Sequence, residues 1–272
     1  MSKHAGEKDN QHQGQSCVVE GIQKIRHRSR KRLIRSLRGD DKEGIREVGH
    51  PDNKMRGPMA RTSKEEAVDR FLTLYLANDG FSRKGLRSLP ATRLQKLVFL
   101  SERAMIDERR KGFNFRFIKL TYGPFSQELK GDAEKIVRAG LLHGNWHVPT
   151  DGTRILLDDF HDVIKKNDAF VHHIRTVNDV YALMPLRQLL NVIHGLPWRG
   201  GKTINDLPPR TPMLYPMKPE RVVSEFDMTD DEADDLLMNF DPKAVNDLVQ
   251  AMKEMRTGKL RTYEQAFCGL PR

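Results

Sequence analysis

The sequence predicts a mainly α fold with a small β component: a helical core carrying one strand and a β-hairpin, followed by a C-terminal helical unit. Three observations predict it. Apolar residues recur at helical spacing through most of the chain after residue 62, and only Phe113, Phe115 and Phe117 alternate with the two-residue period of a strand. Capping residues, glycine stops and proline starts mark the ends of the periodic segments.

Taken in order, Ser63 with Glu66 reads as a capping box opening a helix whose face is Val68, Phe71, Leu72, Tyr75 and Leu76, ended by Asn78-Asp79-Gly80. A second stripe, Leu94, Leu97, Val98, Ser101, Ala104 and Met105, predicts a helix to about Arg110. Arg109, Arg110 and Lys111 would sit at its C-terminus, where the macrodipole favours cations. The Phe113–Phe117 strand leads into Tyr122-Gly123-Pro124-Phe125-Ser126, read as a tight Gly-Pro bend between Tyr122 and Phe125, with Ser126 starting the next helix. That helix runs to Ala139, with Leu129, Ala133, Ile136 and Val137 inward, a potential break at Gly131-Asp132 and a stop at Gly140.

Trp146-His147-Val148, Thr150-Asp151-Gly152-Thr153 and Ile155-Leu156-Leu157 read as a β-hairpin near 145–157 turning on Asp-Gly. A helix, Gly-Leu-Leu and a hairpin give the outline of a winged-helix module. A long helix from Asp159 to Leu183 follows, then one opened by Pro185 and ended by Gly195. Six prolines between 196 and 221 predict loop rather than regular structure, a linker or a clamp lying on the core. Thr229 with Glu232 is a second capping box, and Asp241-Pro242 and Thr262 open the last two helical segments.

The domain reading is therefore a basic tail over 1–58, a helical core over 59–200, a Pro-rich linker over 201–224 and an acidic helical unit over 225–272. Residues 1–58 hold 14 Lys/Arg against 8 Asp/Glu, so the tail supplies +6 of the formal +10 charge of the 272-residue chain. Poor in aromatics, it reads as mostly disordered. Met59-Ala60-Arg61-Thr62-Ser63 also reads as a natural start, which would place 1–58 upstream of the native protein.

Composition narrows the function classes. No apolar run approaches the roughly 20 residues that span a bilayer, and no secretory core is visible at the N-terminus. Two cysteines, Cys17 and Cys268, do not make a disulfide scaffold. The expectation is a cytoplasmic protein with no membrane partner.

Candidate chemistry is thin. His172 and His173 are adjacent, so on a helix they point about 100° apart rather than along one face, which argues against a metal pair with His161 or His194. Gly-Pro-Phe-Ser-Gln is not a nucleophile elbow. Gly201-Lys202-Thr203 has Leu196 where a phosphate loop needs glycine. Cys268 has no neighbouring base. No catalytic residue, metal or cofactor is assigned. Two charge runs remain. Lys24 to Arg38 holds eight basic residues and no acid, with Arg28, Arg30, Lys31, Arg32 and Arg35 as candidate phosphate contacts. Glu225 to Asp241 holds eight carboxylates and no Lys or Arg. There Asp230, Asp231, Asp234 and Asp235, with Leu236, Leu237 and Phe240, form a candidate surface for a basic partner.

Leu94-Gln95-Lys96-Leu97-Val98-Phe99-Leu100, together with Tyr122-Gly123-Pro124-Phe125-Ser126, Leu129 and Gly140-Leu141-Leu142, resembles the Panacea-type domain. That group includes SocA-like antitoxins and phage-associated proteins, and the Tyr-Gly-Pro-Phe-Ser wording is also similar to YwgA-like bacterial proteins. The resemblance covers roughly 65–200, with Leu97, Tyr122, Gly123, Pro124, Phe125, Ser126 and Leu129 as its motif. It implies an α-rich, non-enzymatic interaction domain that neutralises a cognate toxin and carries no catalytic residues. The winged-helix outline leaves a DNA-binding regulator, acting through wing or basic tail, as the alternative.

Overall fold

The computed structural model describes residues 61–217 and 219–241. Among the sequence expectations, the basic tail with Arg28, Arg30, Lys31, Arg32 and Arg35, both cysteines, and the segments opened at Pro242 and Thr262 lie outside the described residues. The architecture is mainly α with a small β component.

Helix α1 (Ser63–Ser82) begins one residue earlier than expected. Thr62 is the N-cap: its hydroxyl accepts from Glu65 N at 3.2 Å and its own N–H donates to Glu65 Oε2 at 3.0 Å. Glu66 instead accepts from Arg70 Nη2, one helical turn on. Nor do Asn78-Asp79-Gly80 end it: they are its last full turn. Asp79 and Gly80 are buried there against Asn178, whose Nδ2 donates to Asp79 Oδ2 at 2.8 Å.

The other helices surround α1. They are α2 (Ala91–Asp107), α3 (Gln127–Arg138), α4 (Asp151–Asp159), α5 (His161–Lys166), α6 (Asp168–Tyr181), α7 (Leu186–His194) and α8 (Asp230–Asn239). Because α3, α4, α6 and α8 all pack on α1, it is buried on every side from Ala67 to Ala77, far beyond the single face its periodicity suggested. Phe71 lies 5.8 Å from the Phe160 ring and 6.0 Å from Phe226, at the centre of this core.

The β component is small. Strands β2 (Phe117–Leu120), β3 (Gly123–Phe125) and β6 (Pro212–Leu214) form an antiparallel sheet in the order β3-β2-β6. The expected strand thus starts only at Phe117. Phe113 and Phe115 are buried in the unpaired approach to it, their rings stacked 5.8 Å apart. Strand β6 lies in the Pro-rich stretch read as loop. Pro212 is tolerated because it is the first residue of an edge strand, where no ladder donor is required. Ile204, Leu207 and Met213 from the same stretch are core residues, so of the two readings, linker or clamp on the core, 201–217 is the clamp.

Strand β1 (Arg110–Lys111) pairs in parallel with β7 (Ser224–Glu225), so the expected C-terminal helix cations belong to a strand; α2 stops at Asp107 and Arg109 is left-handed at φ 57°. The hairpin near 145–157 is displaced. It consists of β4 (Leu142–His143) and β5 (Val148–Pro149), and Asp151-Gly152 forms the first turn of α4. Thr153, Leu156, Leu157 and half-buried Phe160 follow helical spacing, and that burial outweighs the local turn preference of Asp-Gly.

Helix α3 runs through Gly131-Asp132 unbroken. It ends as expected at Gly140 (φ 72°), with Leu141 N donating to Ile136 O and Gly140 N to Val137 O, a Schellman closure. The expected long helix from Asp159 is two, α5 and α6: Phe160 separates α5 from α4, and Asn167 leaves helical geometry between α5 and α6. At Asn167 the reason is a side chain committed elsewhere, since its amide bridges Val163 O and Asp227 O and its Oδ1 accepts from Asp227 N.

Capping box Thr229–Glu232 opens α8 as expected. The described residues fall in one compact unit, so the acidic helix is part of the core's own unit. Ala233, Leu236 and Phe240 are buried against α1, and Phe240 lies under the Arg70 guanidinium at 5.5 Å.

Candidate binding groove

The two halves of the quoted motif are fastened to each other. Gln95 Nε2 donates to Ser126 O at 2.9 Å and Gln95 Oε1 accepts from Ser126 N at 2.8 Å, a two-point clamp between α2 and the residue before α3. One position on, Lys96 Nζ donates to Pro124 O at 2.7 Å. Ser126 is the N-cap of α3, its hydroxyl accepting from Leu129 N at 3.3 Å and donating to Glu128 Oε2 at 2.9 Å. Arg116 Nε in turn donates to Glu128 Oε1 at 2.5 Å.

The motif is a hairpin rather than a Gly-Pro bend. Leu120 faces Gly123 and Lys119 faces Pro124 across β2 and β3, and Thr121-Tyr122 make the turn. Gly123 sits at φ +84°, which an L side chain resists, and a Cβ there would lie 3.4 Å from His194 Nε2. Tyr122 is 65% exposed at the tip instead of packing against the bend.

Beside this hairpin opens a groove of about 930 Å³, walled by the start of α2, by β2–β3, by one face of α3 and by the Gly144–His147 turn. Leu129, Ala133 and Val137, four residues apart, put an apolar stripe along α3, of which Leu129 and Ala133 are buried in the core behind the groove and only Val137 is half-exposed to it. Leu94, Leu120 and Phe125 close the opposite side. Lys130, Glu134 and Arg138, one position on, form the exposed rim, with Lys130 Nζ 3.9 Å from Glu134. His147, left-handed at φ 46°, donates its Nδ1–H to Leu89 O at 2.8 Å.

Lys96 is 3% exposed, and burial lowers its pKa to about 8. Among the described residues no carboxylate forms an ion pair with it. Burial, with help from Lys119 and Lys96, also holds the His194 imidazole below its ordinary value.

Deeper in the core lies a second charged cluster. Arg61 Nη1 bridges Asp69 (2.5 Å) and Asp132 (2.8 Å), and Arg70 Nε donates to Asp132 at 3.0 Å. Burial outweighs the Arg61 guanidinium and pushes the Asp69 carboxyl up to about 7. The cluster ties α1 to α3 and lies outside the groove wall.

Of the motif residues, Gly123, Phe125 and Leu129 line the groove, Tyr122 stands at its lip, Pro124 and Ser126 are held behind it, and Leu97 lies in the core. Of the acidic set, Asp230, Asp231 and Asp234 are exposed on α8 and Asp235 is half-buried, while the apolar members turn inward. Leu236 and Phe240 are buried, Leu237 packs against the core, and Asp230 lies 3.8 Å from Lys64. Gln95 and Lys96 were missed as functional residues, although a polar pair embedded between Leu94 and Leu97 was their signal. Among the described residues no cluster of His, Cys, Asp and Glu is arranged to hold a metal, and no helix is long and apolar enough to cross a membrane.

Comparison with protein-family models, with curated proteins and with solved structures finds no match. The resemblance to the Panacea-type domain accordingly rests on the motif residues alone.

Proposed function

We propose that the chain is a non-enzymatic protein-interaction module, antitoxin-like or phage-associated, which binds and neutralises a partner toxin through the groove beside the Tyr122-Gly123-Pro124-Phe125 hairpin. The observation that carries this reading is the groove itself, in which half-buried Leu120, Phe125 and Val137 and the exposed Tyr122 bring the motif hairpin and α3 together as one apolar wall. The polar groups behind it, Lys96 and His147, are engaged with backbone carbonyls, an arrangement suited to shaping a surface rather than to moving protons. This moves partner binding from the acidic helix, whose apolar side is covered by α1, to the groove. The DNA-binding alternative has weaker support, since the displaced hairpin has strands of two residues each.

The test is co-expression with the product of the adjacent reading frame. Val137→Asp places a charge on the half-buried end of the stripe and should lower affinity for that product about tenfold or more while leaving the melting temperature nearly unchanged. Full rescue from toxicity by Val137→Asp would overturn the groove as the docking surface.

A further inference from the structure

We infer that the groove beside the hairpin also takes a small ligand, an aromatic monoanion seated on the Tyr122 and Phe125 rings with its anionic group at Arg138. The volume of about 930 Å³ falls in the range of sites that enclose a small molecule. Walls from α2, the β2–β3 hairpin, α3 and the Gly144–His147 turn make it a concavity rather than a flat contact face. Leu129, Ala133 and Lys96 are buried behind it, so a ligand meets half-buried Leu120, Phe125 and Val137 and the exposed Tyr122.

Two observations choose the chemistry. Core phenylalanines such as Phe71, Phe99 and Phe170 pack against other rings, whereas Tyr122 and Phe125 have no ring partner among the described residues. An aromatic ligand supplies the offset or edge contact that both lack. The exposed charges of the lining are Lys130, Glu134 and Arg138. Lys130 Nζ lies 3.9 Å from Glu134, while Arg138 Nε donates to Glu134 O at 3.4 Å and pairs with no carboxylate among the described residues. One cation is therefore left over at the mouth of an apolar interior, and it matches a single anionic group. A guanidinium can hold a carboxylate or sulfonate by two parallel N–H bonds, which fixes position as well as charge. Partner and ligand would share the groove, so the ligand releases the partner; that consequence rests on the partner reading, and the site itself does not.

The test uses the full chain and two dyes of the same aromatic body, anilinonaphthalene sulfonate and the uncharged phenylnaphthylamine, each titrated by fluorescence. Both should bind, and Tyr122→Ala and Val137→Asp should each weaken both about threefold or more. Arg138→Gln should weaken the sulfonate about fivefold, the upper range for an ion pair at an exposed arginine, and leave the uncharged dye unchanged. Added salt, which needs no change in the protein, should weaken only the sulfonate. Decanoate should displace the sulfonate less well than naphthoate does.

A sulfonate as indifferent to Arg138→Gln and to salt as the uncharged dye would overturn the anion assignment. Decanoate displacing as well as naphthoate would overturn the aromatic one. No dye binding, or binding that survives both Tyr122→Ala and Val137→Asp, would overturn the site. The partner reading is judged apart from these, by rescue from toxicity: a Val137→Asp chain that loses both dyes and still rescues fully would leave the ligand site standing and overturn partner docking.

Discussion

Glu102 on α2 is 1% exposed, and neither of its carboxylate oxygens has a hydrogen-bond partner among the described residues. Burial, with the nearby Asp69 and Glu128 charges, raises its pKa well above the usual carboxylate range. Asp69 behaves alike, raised from 3.8 to about 7. For both groups the folded chain keeps a proton that the unfolded chain releases, so their contribution to stability is fully present below the ordinary carboxylate pKa. It is lost as pH rises toward the folded value. Stability should therefore fall by about 3 kcal/mol from roughly pH 5 to pH 8 through Asp69 alone, at about 1.4 kcal/mol per unit until the folded value is passed. Urea melts across that range check it. Glu102→Gln should flatten the slope and raise stability at the alkaline end; a variant with the wild-type slope would show that Glu102 does not titrate there.

At the scale of elements, Gln95 is the join on which the groove depends. Replacing it with Met removes two buried hydrogen bonds and should cost about 2 kcal/mol, since the N–H of Ser126 is left unpaired while Ser126 O keeps its bond from Lys130 N at 3.3 Å. Ser126→Ala loses a cap and should cost about 1 kcal/mol. Chemical denaturation ranks the two, and a Gln95→Met variant as stable as the parent would refute the clamp. This join also shows where the sequence could be read and where it could not. Helix α8, the Gly140 stop and Ser126 as a helix start follow from residues within four positions of one another, and local chemistry sufficed. The Asp151-Gly152 turn failed because a hairpin and a helix start share the same dipeptide, and Leu156 and Leu157 decide between them by what they bury against. The groove was half legible: its motif was visible, but Gln95 meets Ser126 across 31 positions and no local pattern announces that meeting.

Taken whole, the described chain behaves as one body centred on α1, and the acidic helix is one of its covers. Leu236→Ala, fully buried, should cost about 2–5 kcal/mol. Because the loss falls on the shared core, the far-UV signal and the tryptophan signal should shift together as a single transition. A C-terminal unit that folded independently would instead unfold first and leave the remaining transition in place.

The placement of α1 has a consequence for synthesis. Phe71 is among the first core residues to leave the ribosome, yet its ring neighbour Phe226 is translated far later. At about 5–20 residues per second the interval is roughly 8 to 30 seconds. Helix α1, first in chain order among the described residues, is among the last to be covered, and through that interval the nascent chain presents the run from Ala67 to Ala77, buried on every side once folded, to whatever chaperone or neighbouring chain arrives first.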